Sequence, residues 1–130
     1  MPYEVTQVLT PGGVRVVRAQ AEGRLDEAEL NDALPRIRDA GLPVMVVLIG
    51  NVKFTPEGRK RLFATTKREK PKPAAIVSKS AAVRAMMSFV MKALALATRQ
   101  EASTAMFADE QSALAWLEER ESANAAAAAA

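Results

Sequence analysis

The 130-residue sequence has no cysteine and no histidine. These absences exclude a disulfide framework, a Cys nucleophile, a His general base, a haem ligand and a Cys/His zinc site. Aromatic residues make up only 5% of the chain, so aliphatic and Met side chains must fill any core. The longest apolar-rich stretch, Ala81–Thr98, contains Arg84 and Lys92 and makes a poor membrane span. Met1-Pro2-Tyr3-Glu4 is not a basic segment followed by an apolar core, so no secretory signal is expected. A soluble, cytoplasmic protein is the expectation. Neither a Walker-type Gly-rich loop nor GxGxxG is present, and no clustered Asp/Glu loop suggests a metal, so we expect no cofactor and no metal. A Ser or Thr nucleophile would need Lys or a carboxylate as its base. The acidic pairs Asp26/Glu27 and Glu118/Glu119 sit in helix-like surface patterns. The chain is therefore expected not to be an enzyme, with no catalytic residues.

What is present fits an ordinary globular protein, at 49% apolar and 25% charged residues. The length suits one domain, expected over residues 1–122. Residues 123–130 are alanine-rich, and we expect a tail that is disordered or foreign to the domain. Charge is uneven. Residues 51–72 carry eight Lys/Arg against Glu57 and Glu69, a net +6 in a chain of +3, so the remainder is −3. Such a block attracts phosphate or acidic surfaces, but it lacks interleaved aromatics for base stacking, so nucleic acid is an unlikely partner.

Tyr3–Leu9 and Val14–Ala19 read as a hairpin around Thr10-Pro11-Gly12-Gly13, with Gly23 ending the extended region. Asp26–Ala40 reads as a helix capped by Asp26, and Pro35 predicts a kink within it. From there a strand–loop–helix rhythm recurs three times. Pro43–Ile49 is continuously apolar, as expected of a strand covered on both faces, and Gly50-Asn51 is expected to end it. Thr55-Pro56-Glu57 then supplies an N-cap, a first-turn proline and an acid at the positive end of the dipole, starting a helix to about Lys67. Ala74–Val77 leads into Ser80 and the longest helix, and Thr104–Phe107 leads into Asp109 and the last. On the long helix Val83, Met87, Val90, Leu94 and Ala97 form one stripe, with Met86, Phe89, Ala93 and Leu96 beside it. So wide an apolar face exceeds what one sheet surface needs.

Parallel strands put their C-terminal ends on one edge, where ligands favour the crevice. That edge gathers Asn51, Lys53, Thr55, Ser78, Lys79 and Ser80, the candidate ligand-binding residues. Two helix starts there lie beside a lysine, which suits an anion. Thr55, Ser80 and Asp109 are also each explained as helix caps.

The stretch Val47–Arg59, with Gly50-Asn51-Val52-Lys53-Phe54-Thr55-Pro56-Glu57-Gly58 at its centre, resembles the strand–loop–helix core of STAS-like domains, the anti-sigma-factor-antagonist fold. Ala75-Ile76-Val77-Ser78, the long helix, Met106-Phe107-Ala108-Asp109-Glu110 and Ala113-Leu114-Ala115-Trp116-Leu117 look like an uncharacterised bacterial branch of that superfamily. The resemblance covers about residues 43–119. It implies a single α/β domain with a four- to five-stranded mixed sheet and about four packed helices. It also implies a non-catalytic regulatory or protein-interaction role. Antagonist members are switched by phosphorylation of a Ser in an Asp-Ser-Ser-Gly-like motif. Here that run is Thr55-Pro56-Glu57-Gly58, so the serine switch is missing. Where relatives often carry Asp or Asn late in the central strand, this chain has Leu48.

The expected partner is a protein, or a second copy joined through Met86, Phe89 and Val90 of the long helix. The alternative is a binder of a small apolar or amphipathic anion, with Lys53 and Lys79 on the head group and the Met86/Phe89 side along the tail, as in lipid carriers of the fold.

Overall fold

The computed structural model describes residues 3–39, 41–58, 60, 73–98 and 104–129. Strands β1 (Tyr3–Leu9) and β2 (Arg15–Leu25) form the expected hairpin, and α1 (Glu27–Asp39) follows. Then come β3 (Val44–Phe54), β4 (Ala74–Val77), α2 (Ala81–Thr98), β5 (Thr104–Phe107) and α3 (Glu110–Ala129). Residues 56–58 are helical, so a further helix starts where Thr55-Pro56-Glu57 predicts one. Its expected course to Lys67 lies outside the described residues, as does most of the basic block.

The sheet runs β1-β2-β3-β4-β5. Only β1–β2 is antiparallel; β2–β3, β3–β4 and β4–β5 are parallel. The sheet is mixed, as expected, and its five strands are the upper of the four to five expected, with β3 at its centre. Right-handed crossovers that all step in one direction put their helices on one face. Accordingly α1 and α2 share a face. Leu30, Ala33, Leu34 and Ile37 lie over Ala19, Ala21, Leu25 and Leu48, while Val83 and Met87 pack with Ala21, Leu25, Leu48, Val52 and Ile76. The terminal helix α3 is free of that constraint and closes the other face. Ala113 and Leu117, both 0% exposed, meet Val16, Met45, Val47, Ala75 and Val77. Alternate residues of β3 therefore enter opposite cores, which is why its sequence is apolar without alternation. Leu48, the departure from the polar residue of relatives, is buried in the α1/α2 core.

Several boundaries differ from the sequence reading. Gly23 does not end β2, and Gly50-Asn51 does not end β3. Both glycines have positive φ, 78° and 65°, and sit in a paired irregularity. Register passes from Glu22↔Ile49 to Arg24↔Lys53, so β3 accommodates extra residues and pairing then resumes. Glycine reaches that left-handed backbone without Cβ strain, which lets a strand bend without stopping. Burial of Val52 at 2% exposure fixes the resumed segment. Pro35 lies inside α1, which runs as one helix from Glu27 to Asp39, as read from the sequence. Asp26 caps it, its Oδ1 accepting the Glu29 N–H at 2.9 Å. The alanine run is also different: α3 is helical to Ala129. Six alanines do not nucleate a helix in water, but here they extend one that Ala113 and Leu117 already anchor, and propagation through Ala is favourable.

The hairpin turn is tied to α3. The Thr10 hydroxyl donates to Glu118 Oε1 at 3.2 Å and accepts the Val14 N–H at 3.0 Å. At Gly12 a Cβ would stand 1.5 Å from that same Glu118 oxygen.

Candidate functional site

After β3, β4 and β5 a loop leaves the C-terminal edge of the parallel strands, and each commits its polar side chain to the backbone. After β3, Thr55 donates its N–H to the Leu25 carbonyl at 2.9 Å, and its Oγ1 accepts the Gly58 N–H at 3.1 Å. After β4, Ser78 is buried and donates its N–H to the Phe107 carbonyl at 3.0 Å, while its Oγ accepts the Ser80 N–H at 3.2 Å. Ser80 in turn accepts the Val83 N–H at 3.3 Å. After β5, Asp109 accepts the Ser112 N–H at 2.8 Å and the Ser112 hydroxyl at 3.1 Å. The backbone N–H and then the hydroxyl of Ser112 hold its carboxyl below the ordinary range. Each cap stabilises its helix by about 1 kcal/mol.

Thr55, Ser78 and Ser80 are thus placed as structural hydroxyls. Lys53 and Lys79 are exposed and form no ion pair among the described residues. Asn51 belongs to β3 next to the irregularity; its side chain is outside the described residues. A strand order that never reverses has no switch point, and the switch point is what opens a crevice at such an edge. Among the described residues no group of His, Cys, Asp and Glu is placed to hold a metal.

The cavity lies elsewhere. Roofed by α1 and floored by β1–β3, it has a volume of about 100 Å³ and includes Tyr3, Val5, Leu30, Leu34, Ile37 and Val46 in its walls. None of the six edge residues lines it. Tyr3 also donates its hydroxyl to Asp32 of α1, and this bond to a carboxylate raises the Tyr3 pKa.

The second feature is α2. Val83 and Met87 are buried, whereas Met86 is 44% exposed, Phe89 76% and Leu96 82%. Among the described residues the two stripes read from the sequence therefore separate, with Val83 and Met87 of one in the core and the other facing outward. The Val90 side chain lies outside the described residues. Leu96 is the addition to the interface set. Its signal was in the sequence: eighteen helical residues span about 27 Å, against about 13 Å for a four-residue strand, so the helix must overhang β4 and β5.

A third feature escaped the sequence reading. Arg18 lies on the α3 face of β2 and makes a two-pronged pair with Glu110, Nε to Oε1 at 2.6 Å and Nη2 to Oε2 at 3.2 Å, while Nη1 reaches Gln20 Oε1 at 2.9 Å. The pairing lowers the Glu110 pKa and raises that of Arg18. The pair pins the start of α3 to the sheet. Nothing local marks it, because the partners are 92 positions apart.

A solved structure of similar shape is an uncharacterised protein of the DUF3478 family from Shewanella loihica, described as having a SpoIIAA-like fold. It aligns with a TM-score of 0.61 and 16% identity over 88% of this chain and 93% of that one. No family model and no curated protein matches the sequence. The chain thus has the SpoIIAA-like, that is STAS-like, α/β fold; at this identity the likeness establishes the fold alone. No described helix is long and apolar enough to cross a membrane.

Proposed function

We propose that this chain is a non-catalytic protein-interaction module whose working surface is the outward face of α2. The observation that carries this reading is the exposure of Met86, Phe89 and Leu96 on one helix. Large apolar side chains grouped in this way mark interaction sites more often than they mark solvated surface. Two further points support it. The hydroxyls at the strand edge are occupied as caps, which leaves no activated nucleophile there among the described residues, and with no His or Cys the chain lacks the usual bases. Thr55, the hydroxyl nearest to the switch serines of antagonist relatives, caps the helix that begins at Pro56. Regulation through this module accordingly runs by docking and not by phosphorylation at that loop. The test is a photo-crosslinking residue at Phe89, compared with one at Glu4 on the opposite face. Discrete adducts at Phe89 alone support the reading; none at Phe89, or equal adducts at both, removes it.

A second reading, a binder of a small apolar molecule, has one observation in its favour: the cavity beneath α1. An apolar cavity of about 150 Å³ is enough to take up benzene, so 100 Å³ suits only a compact ligand. Lys53 and Lys79 would have no part in holding it, since neither lines the walls. Native mass spectrometry of freshly purified protein tests this reading; a single unshifted mass opposes it.

A further inference from the structure

We infer that the α2 face takes an acidic amphipathic helix of another protein in preference to a second copy of this chain. This rests on the interaction reading above and names the chemistry of the partner. Between Glu69 and Glu101 the sequence contains no Asp or Glu but has Lys70, Lys72, Lys79, Arg84, Lys92 and Arg99. Met86, Phe89 and Leu96 therefore stand in a stretch of one charge sign. Lys92 is three residues from Phe89 and four from Leu96, so it borders both on the helix surface. Lys79, Arg84 and Lys92 form no ion pair among the described residues. Arg84 even buries its Nε without a hydrogen-bond partner.

These charges decide between occupants. Two-fold pairing brings a face against its own copy, so Lys92 of one protomer would meet Lys92 of the other. Like charges opposed in an interface disfavour that association, whereas a Glu-flanked helix is complementary in sign. A lipid surface would also attract the lysines. Yet three large apolar side chains and one bordering lysine amount to a single weak signal, and stable peripheral anchoring takes two. A partner helix with apolar residues at i, i+3 and i+7 would lay them against Met86, Phe89 and Leu96, with carboxylates reaching Lys92.

The probes are two synthetic amphipathic peptides with the same leucine stripe, one flanked by Glu and the other by Lys. Anisotropy against the full chain is expected to show the Glu peptide binding at least roughly tenfold more tightly, with affinity falling as salt rises. Lys92→Glu should reverse the order and Phe89→Glu should abolish both signals. Both sites are exposed, and circular dichroism checks that the variants are folded. Equal binding of the two peptides overturns the inference, as does stronger binding to phosphatidylcholine vesicles carrying roughly 30% phosphatidylglycerol. If neither peptide binds but sedimentation shows a dimer lost in Phe89→Glu, the acidic partner is wrong and the interaction reading survives. A monomer that binds neither peptide removes both.

Discussion

Cutting Leu117 and Leu96 back to alanine in separate variants makes the same chemical change at the two extremes of burial. Leu117 is 0% exposed and sits among Val16, Met45, Val47, Ala75, Val77 and Ala113. Removing its branched end forfeits the transfer energy and leaves a void, which together cost about 2–5 kcal/mol for Leu→Ala. Two of its neighbours are alanines and the others are anchored in strands, so little can move in to fill the gap; we expect about 3–4 kcal/mol, in the upper part of that range. Against a total stability of about 5–15 kcal/mol this is a large fraction, and it should lower Tm by roughly 10–20 °C. Leu96 is 82% exposed. Its truncation removes few contacts, and alanine is a slightly better helix former, so the change should stay within about 0.5 kcal/mol. Urea unfolding followed by circular dichroism measures both, with an unchanged m-value confirming that only stability moved. If Leu96→Ala costs 2 kcal/mol or more (roughly the core range), that face is covered in solution and the docking surface is lost. If Leu117→Ala is nearly neutral, the packing of α3 on the sheet is wrong.

At Gly58 a Cβ would come within 3.1 Å of Leu30 Cδ1 and Thr55 Oγ1 and 3.2 Å of the Leu25 carbonyl. Gly58→Ala should therefore destabilise by about 1–2 kcal/mol in a thermal melt, despite the better helix propensity of alanine. Gly12→Ala would push aside the Glu118 carboxylate, and Thr10→Val removes its donor; each should cost about 1 kcal/mol, and if they act through one contact the double variant should fall short of the sum in a denaturant cycle. Asp109 and Glu110 both have folded pKa values below their ordinary 3.8 and 4.5. Their contribution is present above those ordinary values and is lost as pH falls through the folded ones. Melting at pH 7 and at successively lower pH below about 4 should show that loss, reduced in Glu110→Gln; because both groups are largely solvated, the effect is expected to be modest.

Which features the sequence disclosed follows from the range over which each is encoded. Thr55, Ser80, Asp26 and Asp109 are caps that act over three residues, and all four accept the N–H their spacing predicts. The central position of β3 was legible because burial on two faces removes alternation from its sequence. Its true end was not, because a glycine that bends a strand and a glycine that stops one look alike until the neighbouring strand is known. Here Gly23 opposite the same irregularity decides the matter. The Arg18–Glu110 pair and the contact of Thr10 with Glu118 join opposite ends of the chain, and no local pattern records them.

The strand order itself explains why α2 has an outward face that the sheet does not cover. Because β2 to β5 step in one direction, the crossover helices form a row on one face, and α2 ends that row over β4 and β5. No strand lies beyond β5 among the described residues, and the two strands beneath α2 are each only four residues long. A helix of eighteen residues placed there meets sheet along one side and for part of its length. Were its outward side only solvated, polar residues would serve at no cost to the fold, as they do at Glu119 and Arg120 of α3. Phe89 and Leu96 instead leave apolar area in water, which helix propensity does not require and packing within the domain does not recover. On the interaction reading proposed above, a partner covers these side chains, and Lys92 beside them sets the sign of its charge.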